Sequence, residues 1–208
     1  MSKRRVQNRV GATVMAAAMM AACVPAALAQ AGDPAAQTID GLDAGLIATM
    51  KAAGGVATRA RIITPAVDRA FDLPLMTRLS VGPAWTSFSA AEQNGVVTAF
   101  RAMTISQYAH NFDGYSGEKF TLAGAVETRG GDKLVRTTLT GPGTNEALNY
   151  RLREVGAPGS GQWKIIDVYY RNAISQLATR RSDFAGVVAK GGAAALIGHL
   201  NQLAANPK

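Results

Sequence analysis

Asp167, Tyr169 and Arg181 are the side chains whose types and spacing come closest to a reactive site in this sequence. Asp167 and Tyr169 are two residues apart in the segment WKIIDVYY, and residues at that spacing share one face of a β-strand. An aspartate beside a tyrosine in a cavity could transfer a proton, as in enzymes of the ketosteroid-isomerase type. An arginine partner would instead keep the aspartate ionised and engaged. The residues leave both a cavity enzyme and a structural ion pair open.

The helix predicted after the last strand carries Arg181 within its apolar stripe. Arg181 follows Leu177 by four residues and precedes Phe184 by three, and Val188 extends the same stripe,. We therefore expect its guanidinium to point toward the core. Burial of an unpaired charge is unfavourable, so the side chain needs a partner. The expected partner is Asp167 on the preceding strand; the alternative is the polar end of a ligand.

Other reactive groupings are missing from the sequence. His110 and His199 are far apart and neither has a second ligand at metal-binding spacing. The Gly-x-Ser-x-Gly, Walker and dinucleotide-binding patterns do not occur. Arg151 and Arg153 share the solvent-exposed face of a predicted strand, which could bind anions or nucleic acid. An exported protein with few aromatic residues beside its cations is not expected to bind nucleic acid. We predict no catalytic residue, no metal and no cofactor.

Residues 1–29 have the three parts of a secretory signal peptide. The cationic segment MSKRRVQNR is followed by an Ala-rich apolar run, and Ala27-Leu28-Ala29 precedes Gln30,. Cleavage before Cys23 would give a lipoprotein, but Met20-Ala21-Ala22 is a poor match to a lipobox. Cleavage after Ala29 removes four basic residues and the only cysteine, so the formal charge falls from +8 to +4. No later segment approaches the roughly 20 apolar residues of a membrane-spanning helix.

The spacing of apolar residues changes from helical to strand-like and back along residues 30–208. It is helical over 40–112, alternates over 119–170 and is helical again from 175,. Thr64-Pro65 predicts the start of a helix, and Ser89-Ala90-Ala91-Glu92 predicts a capping box. We expect one domain of the α+β class. A curved antiparallel sheet of about four or five strands would be covered on one face by N-terminal and C-terminal helices.

Several segments, in this order, are similar to the MlaC/toluene-tolerance family. They are VGPAW at 81–85, YAHNFDGYSGEKF at 108–120, WKIIDV at 163–168 and the stretch from Ile174 to Phe184. The resemblance covers most of the chain after the signal segment. PAVDRAFDLPLM at 65–76 and TRRSDF at 179–184 are more similar to the HpnM branch, which is associated with hopanoid biosynthesis.

The resemblance implies a periplasmic lipid-binding component of an Mce-type ABC transport system. Its cargo would be a phospholipid or a hopanoid, moved between membranes. Its partners would be an inner-membrane Mce-type transporter and, as a second candidate, an outer-membrane complex. An apolar pocket between sheet and helices would hold the lipid, with Asp167 and Arg181 as structural or head-group residues. The implied wall residues are Phe100, Met103, Tyr108, Leu148, Tyr150, Leu152 and Ile165, with Phe100 and Met103 facing Leu148 and Tyr150.

Two alternatives to a lipid carrier stay open. The same apolar side chains could fill a closed core, and the protein would then be a periplasmic scaffold. A cavity enzyme using Asp167 and Tyr169 is the other alternative. Bound lipid distinguishes the carrier from both.

We predict export with cleavage after Ala29. N-terminal sequencing of the protein isolated from the periplasm should begin at Gln30, because the Ala-Leu-Ala end of the apolar run fits the signal-peptidase site. Recovery of the mature chain from the cytosol with Met1 intact would contradict this prediction.

Overall fold

Helices occupy both ends of the described chain and strands lie between them. The computed structural model describes residues 32–171 and 174–207; the predicted signal segment, its cleavage position and Cys23 lie outside them. The elements are α1 (Pro34–Met50), α2 (Val56–Ala70), α3 (Leu73–Val81), a 3₁₀ helix (Gly82–Ser87), α4 (Ala90–Asn111), β1 (Lys119–Leu122), β2 (Glu127–Arg129), β3 (Asp132–Gly141), β4 (Thr144–Glu154), β5 (Trp163–Tyr170), β6 (Ile174–Ser175) and α5 (Gln176–Ala205).

Side-chain caps fix the starts of several helices. The Asp72 carboxylate accepts a hydrogen bond from the Leu75 backbone at 3.0 Å at the start of α3,. Ser89 and Glu92 form the predicted capping box at the start of α4,. The helix start predicted at Thr64-Pro65 is wrong. Pro65 lies inside α2, which begins at Val56.

The strands form one antiparallel sheet in the order β1-β3-β4-β5-β6, and β2 also pairs with β3. The described part of the chain has six strands, whereas the sequence predicts about four or five. The difference comes from β2 and β6, which are three and two residues long and too short to show an alternating pattern. Helices α1, α2, α3 and α5 contact β5. The predicted α+β class and the helical cover on the sheet are confirmed.

A β-bulge at Ile166 changes the direction of the side chains along β5. Leu152 of β4 pairs with Ile165, but the preceding Arg151 pairs with Asp167, so Ile166 has no residue opposite it,. Ile165 consequently shares the helix-facing side of the sheet with Leu152. Asp167 lies on the other side with Arg151. The regular alternation of a strand predicts that Asp167 shares a face with Ile165, and this prediction is wrong because the bulge interrupts the alternation.

The core lies between the helix-facing side of the sheet and the helices. The Phe100 ring of α4 meets the Phe184 ring of α5 edge to face, with 6.4 Å between ring centroids,. Burial of each large apolar side chain contributes about 1.5–3 kcal/mol to folding. The fully buried large apolar residues include Ile39, Leu42, Leu46, Ile63, Phe100, Met103, Leu152, Ile165, Phe184 and Leu196.

Asp167 connects β5 to the start of α5. Its carboxylate is buried and accepts hydrogen bonds from the Ser175 hydroxyl at 2.6 Å and from the Leu177 backbone at 3.0 Å. Ser175 in turn caps the helix by accepting a hydrogen bond from the Ala178 backbone at 3.0 Å. A carboxylate at this position also interacts favourably with the positive end of the helix dipole. Asp167 therefore has a structural role in this fold.

Substitution of Asp167 by Ala should lower the free energy of unfolding by roughly 1–3 kcal/mol, because it leaves a backbone donor of α5 and the Ser175 hydroxyl without their acceptor. Urea denaturation followed by circular dichroism measures this change. The control is Asp183→Ala, an exposed change on the same helix that should stay within about 0.5 kcal/mol of the wild type. Equal stability of the two variants would contradict the structural role of Asp167.

Candidate ligand-binding cavity

A cavity of about 610 Å³ lies between the sheet and the helices. Its volume is in the range of roughly 300–1,000 Å³ found for small-molecule sites. Apolar side chains from the sheet, from α1 and α3 and from the corner between α2 and α3 form much of its lining. These side chains are Met50, Phe71, Met76, Leu139, Leu148, Tyr150 and Val168.

Helices α4 and α5 contribute polar side chains to the lining. Thr104, Gln107 and Asn111 recur at three- and four-residue spacing on α4, and Gln176 and Arg180 are four residues apart on α5. This spacing places each set on one side of its helix. We call these five residues the polar stripe. It runs from Asn111, which is exposed, to Thr104, which is 1% exposed.

Arg180 is the charged member of the polar stripe. Its Nη2 donates a hydrogen bond to Gln107 Oε1 at 3.1 Å, and its guanidinium carbon lies 4.9 Å from the centroid of the Phe100 ring,. Burial lowers the pKa of Arg180, although the nearby Tyr108 and Asp167 oppose that shift. Within the described ranges, no carboxylate lies within 4.0 Å of its guanidinium nitrogens. This cation is therefore half-buried and has no close counter-ion among the described residues.

Asp43 is a half-buried residue on α1. Burial, with a smaller contribution from the charge of Asp40, raises the pKa of Asp43 to about 8. Its Oδ1 is buried and has no hydrogen-bond partner among the described residues. Burial also raises the pKa of Tyr108 and Tyr150, and the charge of Asp43 adds to both shifts. At neutral pH Asp43 is therefore mostly protonated and adds no full charge to this part of the interior.

Comparison with known proteins assigns the chain to a family. The profile of the MlaC protein family matches residues 44–202. The chain belongs to the MlaC family. Its fold is similar to that of a phospholipid-binding protein from Ralstonia solanacearum solved in complex with a phospholipid, with a TM-score of 0.71 and 20% sequence identity over 83% of this chain and 97% of that one. No curated protein matches this chain. The narrower likeness to the HpnM branch stays a prediction.

Three of the seven residues expected to bind lipid line the cavity of this MlaC-family chain. They are Tyr108, Leu148 and Tyr150. The other four, Phe100, Met103, Leu152 and Ile165, are at most 1% exposed and belong to the packed core. Phe100 packs against Phe184 and Arg180. The apolar periodicity of α4 identifies inward-facing residues, but periodicity does not distinguish a residue in close contact with its neighbours from one beside an empty volume.

The prediction that Arg181 points into the core is wrong, and its neighbour Arg180 has the inward position. Arg181 is exposed, and its side chain lies over Gly82, where an added Cβ would be 2.9 Å from Arg181 Nε. The adjacent Arg180 faces the cavity instead. The expected pair with Asp167 is also wrong: within the described ranges no ion pair joins Asp167 to Arg181, because the Asp167 oxygens accept hydrogen bonds from the Ser175 hydroxyl and from the backbone of Val168 and Leu177. The sequence does contain a signal for the polar stripe, since Thr104, Gln107 and Asn111 have helical spacing.

The outer face of the sheet carries charges that are already paired. Asp132 is 2% exposed and accepts hydrogen bonds from Arg151 Nε and Arg153 Nε, each at 2.7 Å. Burial alone would raise the pKa of Asp132, but the hydrogen bonds from these two arginines hold it below its usual value. Arg129 and Arg136 both bind Glu127. A groove of about 650 Å³ lies beside these groups, but the pairing makes it a weaker candidate site than the cavity.

The cavity-enzyme hypothesis loses its proposed acid. Tyr169 lines the outer groove rather than the cavity. Asp167 lies on the same outer side, and its oxygens are engaged in hydrogen bonds to the start of α5.

Within residues 32–171 and 174–207, no helix is long and apolar enough to cross a bilayer.

The raised pKa of Asp43 predicts a specific pH dependence of stability. The unfolded chain releases this proton near pH 3.9, whereas the folded chain holds it to about pH 8. The folded state therefore binds more protons between these values, and stability falls as pH rises through this window. Asp43→Asn removes the ionisation. Its melting temperature relative to wild type should rise between pH 5 and pH 8 and level off above pH 8.

Thermal melts at intervals from pH 5 to pH 9 measure this difference. Asp183→Asn on α5 is the control, because Asp183 is exposed and its melting curve should run parallel to that of the wild type. A constant difference between Asp43→Asn and wild type over this range would contradict the raised pKa.

Proposed function

We propose that this MlaC-family protein is a periplasmic carrier that holds a lipid in the cavity between its sheet and its helices. The observation that carries the proposal is the 610 Å³ cavity, which is lined by apolar side chains and by the polar stripe. A lipid has the same division into an apolar and a polar part. The fold similarity to a protein solved with a bound phospholipid supports the same function.

Transport of a lipid through water requires such an enclosure. Each methylene group exposed to water costs about 0.8 kcal/mol, so an acyl chain cannot remain free in the aqueous periplasm. Contacts with Met50, Leu139, Leu148 and Val168 would replace this unfavourable hydration. The cavity needs no reactive group for this task, which fits the structural engagement of Asp167.

The likeness of the sequence segments to the MlaC/toluene-tolerance family supports a more detailed proposal. The carrier would exchange lipid with an Mce-type ABC transporter of the inner membrane, with an outer-membrane complex as the second candidate partner, and would move lipid between the two membranes. The predicted signal peptide supports export to the periplasm. A phospholipid is the first candidate cargo, and the resemblance of residues 65–76 to the HpnM branch supports a hopanoid as the alternative.

Substitution of Leu148 by Trp should displace lipid at little cost in stability, because Leu148 borders the cavity and an empty volume accepts a larger side chain. Native mass spectrometry and solvent extraction of protein purified from its own cells measure the bound lipid, and thermal melts measure stability. Ile62→Trp is the matched control, since Ile62 is 37% exposed and the variant should retain lipid.

Met103→Trp provides the opposite control in the packed core. Met103 is 1% exposed and does not line the cavity, so the larger ring should destabilise the protein by roughly 1–3 kcal/mol. Wild-type protein without lipid, together with Leu148→Trp as unstable as Met103→Trp, would show a closed core and favour the scaffold alternative.

A further inference from the structure

Arg180 presents a positive charge to the cavity, and no carboxylate lies within 4.0 Å of it among the described residues. Its hydrogen bond goes to the neutral amide of Gln107, and its other close contact is the ring of Phe100. A half-buried cation without a close counter-ion is less favourable than a paired one, and a ligand can complete its environment. A guanidinium also offers a planar set of donors that fits two oxygens of a phosphate or carboxylate.

Thr104 gives an independent sign that the ligand has hydrogen-bonding atoms. Its side chain is 1% exposed and lines the cavity. Its Oγ1 is buried and has no hydrogen-bond partner among the described residues. Buried hydroxyl groups are nearly always partnered. An oxygen-bearing group in the cavity would satisfy Thr104 as well as Arg180.

The acidic residues at the cavity rim are engaged with other groups. Glu146 pairs with Arg171 at 3.3 Å, and Asp113 lies 3.9 Å from Arg59. The carboxylate of Glu118 accepts a hydrogen bond from the Ser116 backbone at 2.6 Å. None of these contacts neutralises Arg180. Arg180 is the one cation among the described residues that line the cavity. An anion would therefore be favoured next to the polar stripe.

We infer that the polar stripe binds an oxyanion of the lipid through the Arg180 guanidinium, with Gln107 orienting the guanidinium and Thr104 supplying a further hydrogen bond. The oxyanion is the phosphate of a phospholipid or the carboxylate of a fatty acid. This inference rests on the proposed function and makes it more specific. A neutral lipid, including a hopanoid without an anionic group, would leave Arg180 uncompensated and would bind less tightly.

Lipid capture from neutral vesicles tests the inference. Delipidated protein is mixed with vesicles of digalactosyldiacylglycerol, a bilayer lipid without phosphate, that contain a labelled tracer. The tracers are phosphatidylglycerol, diacylglycerol with the same acyl chains, and oleate. Sedimentation removes the vesicles, and the label that remains with the protein is counted. The variants are Arg180→Met, Arg180→Lys and, as the matched control, Arg181→Met on the exposed neighbour.

Wild-type protein should capture phosphatidylglycerol or oleate at least about tenfold better than diacylglycerol, since loss of a hydrogen-bonded charge interaction corresponds to about 10- to 100-fold in affinity. Arg180→Met should abolish this preference and leave diacylglycerol capture unchanged. Arg180→Lys should keep part of it, and Arg181→Met should keep all of it. Preference for phosphatidylglycerol assigns the phosphate as the bound group, and preference for oleate assigns the carboxylate.

Thr104→Val is a second variant that does not depend on how Arg180→Met folds. It has nearly the same shape and removes a hydroxyl that has no partner in the protein, so it should fold normally and lower anionic lipid capture several-fold. Equal capture of anionic and neutral tracers by wild type would overturn the inference but leave the carrier proposal intact. A preference that survives in both Arg180→Met and Thr104→Val would also overturn it. Capture of no tracer by wild-type protein would instead contradict the proposed function.

Discussion

The hydrogen bonds from the start of α5 to Asp167 set the rotation of that helix, and the character of the cavity depends on this rotation. Asp167 holds the Leu177 backbone and the Ser175 cap. Successive helix residues are rotated by about 100°, so fixing the first turn decides which of the two adjacent arginines points inward. Arg180 faces the cavity and Arg181 lies over Gly82. A shift of one residue at the cap would exchange them.

The bulge at Ile166 makes this arrangement possible by separating two tasks along one strand. Before the bulge Ile165 contributes to the core, and after it Val168 lines the cavity. Asp167 lies on the opposite side, where it can reach the helix start at the sheet edge. A regular strand would have aligned Asp167 with Ile165 and directed its carboxylate toward the apolar layer. The local irregularity therefore keeps an ionisable group out of the cavity while it anchors α5.

Charged side chains have different partners on the two sides of the sheet. On the outer face Asp132 meets Arg151 and Arg153, and Glu127 meets Arg129 and Arg136. In the interior Asp43 avoids an unpaired charge by holding its proton, an option that an arginine does not have at physiological pH. Among the described residues no carboxylate lies within 4.0 Å of Arg180, and we propose that a bound lipid supplies its counter-ion. A cation without a close carboxylate beside a cavity is more typical of a binding site than of a packing defect.

The sequence by itself was sufficient for the architecture. Apolar spacing separated helices from strands, and the capping box at Ser89 and Glu92 located α4, because both signals depend on residues close in the chain. The order of the motifs indicated the MlaC family. Helix boundaries were less certain. The proline at position 65 suggested a helix start, but Thr64 and Pro65 are accommodated inside α2, which packs against α1 and α4.

The tertiary structure alone decided which inward-facing residues touch empty space. Phe100, Met103 and Tyr108 all have inward positions on α4, yet only Tyr108 lines the cavity, because that outcome depends on how far the sheet lies from each turn of the helix. The choice between Arg180 and Arg181 depended on a hydrogen bond from another element, and the face of Asp167 depended on a bulge. Each is set by contacts between different elements of the fold, and the residue pattern of one element does not predict such contacts.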